Sequence, residues 1–366
     1  MKEIRNIISS YETVDWSKNK AALATVVSVE ESAYRRIGAR MFVKSSGDWI
    51  GGISGGCLEG DALKRAQIAI HKDTPSVVVY DTMDDDAHQI GVGLGCNGRI
   101  EVLFVPIDHE DNNNPIEQLK QLTQRRQPIL LYQLIDTSDN TNLGLVSENL
   151  SAIANTIIAE EAVLREMVES VKLKRKSKVY ELKAKDASNH SILIEFLRPE
   201  LKLILVGDNY DVNAFVGIAD ELGWDIQVIG LLRKIGKHIF DKASKVVSYD
   251  QASDITVDEY TAVVLMSHDY DKDMAMLQHF LKNKPTYMGM LGPKKRTIKM
   301  QNDLKKTIHD IDLDELQLFY SPVGLDIGAE SPEEIALSIT AEIVAAFRNR
   351  DGKFLRNRIG TIHERD

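Results

Sequence analysis

The sequence predicts an α/β protein with two parts: a C-terminal doubly wound parallel sheet, and an N-terminal α+β domain with glycine-rich cysteine loops. Three observations predict this. From Leu201 onward, short apolar strands alternate with helical patterns, as crossover connections between parallel strands require. Upstream, β-branched runs are separated by polar turns and by only a few helical stretches. The chain also has just two cysteines in 366 residues, Cys57 and Cys96, and each sits in a run of glycines.

Composition narrows the function classes. A hydrophobic content of 43% with 27% charged residues suits a soluble globular chain. Acidic residues number 55 against 45 basic, for a net charge of −10, which argues against a general nucleic-acid binder. The first residues, Met1-Lys2-Glu3-Ile4-Arg5, are too charged for a signal peptide, and no apolar run approaches the ~20 residues that span a bilayer. No membrane association and a cytoplasmic location are therefore expected, with both thiols reduced.

Taken in order, Ile4 to Tyr11 reads as a helix, and Ala22 to Val29 as a buried strand. Arg35, Arg36 and Arg40 cluster around a glycine, where guanidinium forks suit an anion and equally suit a solvated loop. Short strands at Ala39 to Val43 and Asp48 to Ile50 lead into Gly51-Gly52-Ile53-Ser54-Gly55-Gly56-Cys57-Leu58-Glu59-Gly60, and a helix follows through Ile70. Glycines let backbone N–H groups approach an anion, and the helix start favours a thiolate at Cys57. Glu59 and Asp61, in the first turn, oppose a second negative charge there. The same residues also suit a tight turn around a core cysteine.

Ser76 to Tyr80 is a strand. Asp84-Asp85-Asp86 with His88 reads as a solvated loop in preference to a metal site. Positions 93 to 98 match G-x-G-x-x-G, but the alternating strand Arg99 to Val105 follows where a helix is required, so the stretch is a second glycine-rich turn carrying Gly95 and Cys96. A helix is expected over Pro115 to Arg126, a strand over Pro128 to Ile135, and one helix over Ala152 to Glu169. The basic run Lys172 to Lys178, five cations in seven residues, reads as a solvated strand or turn. Strands are expected at Lys178 to Leu182 and Ile192 to Phe196. The expected divisions are an N-terminal domain over 1–110, a middle α+β segment over 111–198 packing with it, the parallel-sheet domain over 199–350, and a tail over 351–366.

In the C-terminal part, Leu201 to Gly207 is an apolar strand, and later strands lie at 226–229, 245–248, 262–266 and 286–291. Ligands of such sheets bind at the carboxyl ends of the strands. The first turn, Gly207-Asp208-Asn209-Tyr210-Asp211, keeps one fingerprint glycine and adds an aspartate that would repel a pyrophosphate. Gly230 stands where an acidic residue would hold a ribose. His268 and Asp269 follow a strand end, and Gly292 precedes Lys294-Lys295-Arg296, cations that suit a phosphate or a solvated helix start. Ser331-Pro332-Glu333-Glu334 is a capping box that opens the last helix, and Asp326 lies in the loop before it.

The motifs Ala39-Arg40-Met41, Gly52 to Gly60, Gly93 to Gly98, His268-Asp269, Tyr287 to Gly292, and Gly324 to Ala329 with Ser331 to Ala336 together resemble the XdhC/CoxI family. The resemblance covers both ends of the chain and leaves about the middle quarter unsupported. It implies a Rossmann-like C-terminal domain. It also implies an accessory role toward xanthine dehydrogenase: binding the molybdenum cofactor, supporting its sulfuration, and delivering it to the apoenzyme, with a cysteine desulfurase as second partner. Carried onto this chain, it points to Arg36, Arg40, Ser54, Gly55, Gly56, Cys57, Glu59, Gly95, Cys96, Gly207, His268, Asp269, Gly292 and Asp326 as cofactor-binding residues. Cys57 and Cys96 are the candidate thiols for molybdenum or sulfur, because thiolate is a soft ligand, and glycine loops with arginines suit the molybdopterin phosphate. The chain departs from the family pattern at Asp208 to Asp211 and at Gly230, and both departures weigh against NAD(P).

No general acid–base pair calls for catalysis by the chain itself. The rival readings are an NAD(P)-dependent oxidoreductase on the C-terminal domain and an adaptor whose cysteines are purely structural. A homodimer is expected from the prevalence of twofold assemblies.

Overall fold

The computed structural model describes residues 1–31, 35–81, 98–136, 142–306 and 312–359. The chain divides into two compact units, Met1–Pro199 and Glu200–Asp366.

The first unit begins with helix α1 (Lys2–Glu12), strands β1 (Ala21–Glu31), β2 (Arg40–Lys44) and β3 (Trp49–Gly51), then helix α2 (Glu59–Lys72) and strands β4 (Ser76–Asp81) and β5 (Gly98–Pro106). These strands form an antiparallel sheet in the order β3-β2-β1-β5-β4. Alternation along β1 explains its central place. Ala22, Ala24 and Val26 pack toward Ala62, Ala66 and Ile70 of α2, while Ala21 and Leu23 pack toward Ile4, Ile7 and Ile8 of α1. Both faces of the strand are thus covered.

Helix α3 (Pro115–Thr123), strands β6 (Ile129–Asp136) and β7 (Val146–Ser147), helices α4 (Leu150–Thr156) and α5 (Glu161–Lys174), and strands β8 (Lys178–Lys183) and β9 (Asn189–Leu197) complete the unit. Their sheet is antiparallel in the order β7-β6-β9-β8. The single helix expected over 152–169 is in fact two. Asn149 caps α4 with its side chain, Ile158 adopts a left-handed backbone (φ 52°), and α5 restarts after Glu160. No glycine or proline marks this break, and the Ile158 carbonyl is held by the Lys185 N–H at 3.1 Å, a tertiary contact. Helix α3 ends earlier than expected, and Arg125 instead forms a two-point pair with Glu148 (2.6 and 3.0 Å).

The second unit is a parallel doubly wound sheet. Strands β10 (Lys202–Val206), β11 (Asp225–Ile229), β12 (Lys245–Val247), β13 (Thr261–Leu265), β14 (Tyr287–Met290) and β15 (Phe319–Tyr320) lie in the order β12-β11-β10-β13-β14-β15. They are joined through helices α6 (Tyr210–Glu221), α7 (Lys237–Lys242), α8 (Tyr270–Asn283) and α9 (Lys294–Lys305), with α10 (Pro332–Phe347) last. Leu203 and Leu205 face Phe215 of α6 and Ile339 of α10, whereas Ile204 and Val206 face Leu277 and Phe280 of α8. Continuous apolar strands are what a sheet buried on both faces requires. The strand order reverses between β10 and β13, so the turns after these two strands flank the switch point. Among the described residues, no helix is long and apolar enough to cross a membrane.

Candidate functional site

The cysteine loop of the first unit is built on two close approaches. Gly51 has φ +82°, and a Cβ there would lie 2.2 Å from the Arg40 carbonyl oxygen, so only glycine fits. The next N–H, of Gly52, donates to that same carbonyl at 2.8 Å. Ser54 then organises the turn. Its Oγ accepts from the N–H groups of Gly56 (3.2 Å) and Leu58 (3.1 Å) and donates to the Glu59 carboxylate, while its own N–H donates to Glu59 Oε1 at 2.8 Å. Ser54 therefore braces the turn that leads into helix α2.

Burial raises the proton affinity of Glu59, but the hydrogen bonds from the Ser54 hydroxyl and backbone outweigh it and hold the carboxyl below the usual glutamate value. Cys57 stands exposed on this frame, its Sγ 3.6 Å from Ser54 Oγ. Asp61 accepts from Arg65 (3.2 Å) and the Tyr80 hydroxyl (2.9 Å).

The three arginines separate. Arg40 is buried, and its guanidinium grips both oxygens of buried Glu195 and donates to the Gly38 carbonyl at 2.7 Å. Those guanidinium contacts are all made inside the unit. Arg35 is the arginine that reaches the loop, with Nε donating to the Ser54 carbonyl (3.3 Å) and Nη1 paired with Glu3 (2.8 Å). Glu3 also accepts from the Arg40 N–H (3.1 Å), which ties α1 to both arginines. Arg36 is exposed. Gly95, Cys96 and the Asp84 to His88 stretch lie outside the described residues.

In the second unit, Gly207, His268, Asp269, Gly292 and Asp326 all lie in turns after strands β10, β13, β14 and β15, along one edge of the sheet. Asn209 donates from Nδ2 to the Met266 carbonyl and caps the Asp211 N–H at 3.1 Å. Asp208 accepts from the Leu231 N–H (3.0 Å), pairs with Lys234 (3.3 Å) and is reached by the Tyr249 hydroxyl (3.4 Å). A Cβ on Gly230 would lie 3.0 Å from Asp208 Cβ, so the missing side chain at 230 and the carboxylate at 208 belong together. These residues do not fit a dinucleotide, because a pyrophosphate needs open N–H groups where Asp208 and Asn209 already sit.

His268 has a left-handed backbone (φ 60°), and its Nε2 lies 3.0 Å from Asp211 Oδ2 across the switch point. The Asp269 carboxylate caps α8 by accepting from the N–H groups of Asp271 and Lys272, and these bonds, that from Lys272 foremost, keep it below the usual aspartate range. Behind it, buried Asp273 is bonded by Ser267 and by Arg296 (2.7 Å), yet burial raises its carboxyl. Gly292, at φ +129°, lets the chain pass close to Arg296. Asp326 is exposed.

The residues missed by sequence reading are Glu3 and Glu195, whereas Arg35 is part of the arginine cluster read from the sequence. Only Glu195 carried a signal, being a lone carboxylate inside the apolar run Ile192 to Phe196. Among the described residues, no group of three or more His, Cys, Asp or Glu side chains is placed to hold a metal ion. For the molybdenum cofactor, the exposed Cys57 thiol is a fitting soft donor beside Arg35, whereas the N–H groups of Gly56 and Leu58 are taken by Ser54.

Comparison with known proteins agrees with this architecture. Residues 203–343 match the XdhC Rossmann domain, and residues 17–81 match the XdhC and CoxI family. The chain is 29% identical over 331 residues to a probable xanthine dehydrogenase subunit from Bacillus subtilis, covering 89% of this chain and 93% of the relative. It is 23% identical over 333 residues to the molybdenum cofactor insertion chaperone PaoD of Escherichia coli, covering 89% and 83%. A solved structure from Bacillus halodurans, described as a xanthine dehydrogenase, superposes with a TM-score of 0.70 at 25% identity, covering 94% of this chain and 96% of that one.

Proposed function

This chain belongs to the XdhC and CoxI family, and from that premise we propose that it is an accessory protein which binds the molybdenum cofactor, supports its sulfuration and delivers it to a xanthine dehydrogenase-type apoenzyme. The observation that carries the reading is the exposed Cys57 thiol, presented on a loop that Ser54 and Glu59 brace from both sides. When bound, the cofactor would supply a sulfur-ligated molybdenum centre and a terminal phosphate. Cys57 would offer the soft contact, and Arg35 and Arg36 the cationic one. Glu59 and Ser54 hold the thiol in place and keep it outward. A cysteine desulfurase, the client apoenzyme and a second copy of the chain are the proposed partners.

The test is anaerobic titration of the full chain with molybdenum cofactor, beside Cys57→Ala and Arg35→Ala. Tight binding by the native chain, weakened about tenfold or more by Cys57→Ala, is expected. Binding that neither variant changes would remove the loop from the site, and no binding at all would overturn the chaperone reading.

The alternative, an NAD(P)-dependent oxidoreductase, has the His268–Asp211 pair at the switch point in its favour. The occupied first turn speaks against it. A saturable rise in NADPH fluorescence on mixing would revive it.

A further inference from the structure

The strongest unassigned feature is a groove of about 480 Å³ in the first unit, away from the cysteine loop. Its floor is apolar, formed by Ile129, Leu130 and Phe196. Its rim is cationic. Arg125 stands on one side, and Lys172 and Arg175 stand on the other, where α5 ends. Arg175 terminates that helix in a left-handed conformation, and its carbonyl accepts from Arg198 at 3.1 Å, which fastens the rim to the end of β9. Of the basic run Lys172 to Lys178, Lys172 and Arg175 line the groove. The two rim carboxylate pairs, Arg125 with Glu148 and Lys172 with Glu169, are at the surface, where such pairs exchange partners at little cost.

Backbone geometry adds a second feature. Strand β7 pairs with β6 only at Tyr132 and Gln133, then turns away past Glu148 into α4. Among the described residues, no strand pairs with that edge of β6 at Ile129 and Leu130, which line the groove. A half-open strand edge beside an apolar floor and a basic rim is the setting in which an extended peptide adds main-chain bonds to side-chain pockets.

We propose that this groove receives an extended acidic segment of another protein. Charge complementarity selects that occupant. The chain carries −10 overall, so a bilayer or a long nucleic acid would meet repulsion beyond the groove, whereas a peptide of about ten residues touches only its basic rim and apolar floor. Alternating acidic and apolar side chains match the two, because successive residues of a strand point to opposite sides.

The experiment uses the full chain and a fluorescein-labelled peptide of about ten alternating Glu and Leu residues, followed by anisotropy. Saturable binding is expected at low ionic strength, with a loss of about tenfold in about 0.5 M NaCl. Lys172→Glu with Arg175→Glu is expected to weaken binding at least about tenfold, and Lys172→Ala with Arg175→Ala by less. All four substitutions are at exposed positions, so the melting temperature checks that the fold is retained. Three outcomes overturn the proposal: no saturable binding by the native chain, equal binding by the charge-reversed variant, or equal binding of the matching Lys and Leu peptide. Sedimentation with phosphatidylserine vesicles, or retention of RNA, in preference to the peptide would also overturn it.

Discussion

Arg40 on β2 and Glu195 on β9 form a two-point ion pair with both side chains almost fully buried, joining the two sheets of the first unit across 155 residues of sequence. Removing one partner leaves an uncompensated charge in the interior. Arg40→Ala or Glu195→Ala is expected to cost about 3–5 kcal/mol in denaturant unfolding, whereas Arg40→Met with Glu195→Leu should recover most of that loss. Equal stability of the single and double variants would show that the pair is not what the interface depends on.

The Ser54–Glu59 brace predicts a change in thiol accessibility. Ser54→Ala removes the hydroxyl that caps two N–H groups, and about 1–2 kcal/mol of stability should go with it. The loop then moves more freely, so Cys57 should react faster with iodoacetamide than in the native chain. An unchanged alkylation rate would mean that the loop does not depend on the brace.

Glu59 also carries a pH signature. Its carboxyl is depressed in the folded chain, so it stabilises the fold above the ordinary glutamate value of 4.5, and that contribution fades as pH falls through the lower folded value. Glu59→Gln should be the less stable protein at neutral pH, and its difference from the native chain should shrink below about pH 4. Urea midpoints measured across that range test this directly.

His268 holds a left-handed backbone that glycine adopts without strain. His268→Gly is expected to be as stable as the native chain or more so by about 0.5–1 kcal/mol, because the lost Asp211 contact is solvent-exposed, while His268→Val should be clearly destabilised. A glycine variant that melts several degrees lower would show that the imidazole is structural.

Asp208 and Gly230 interlock, so Gly230→Ala is expected to destabilise the second unit, and Asp208→Asn to lower the melting temperature by weakening its bonds to Leu231, Lys234 and Tyr249. Asp208→Asn with an unchanged melting point would show that the second unit does not depend on those bonds.

Much of the fold was legible in the sequence because strand periodicity and capping are local. The apolar run at Leu203 to Val206 and the Ser331 capping box lie where the pattern put them. The break at Ile157 and Ile158 was not legible, since no glycine marks it and the contact that holds it comes from Lys185. The arginine cluster was legible as a cluster, but not in its division of labour. Arg36 faces solvent, Arg35 takes the loop, and Arg40 turns inward, because the partners that decide this are Glu3 and Glu195.

The sequence by itself determined the two kinds of sheet, the parallel order of helices and strands after Leu201, the glycine-rich cysteine turn and the family it belongs to. All of these follow from short-range spacing, which dihedral preference and side-chain periodicity govern. Only the tertiary structure decided which charges are spent internally. Asp269, Glu59 and Arg40 all resemble ligand contacts when read along the chain, and each is engaged with a partner in the folded unit. The physical reason is that a charge leaving water must be paired wherever the fold places it, and its partner's position in space is not written in its neighbours along the chain.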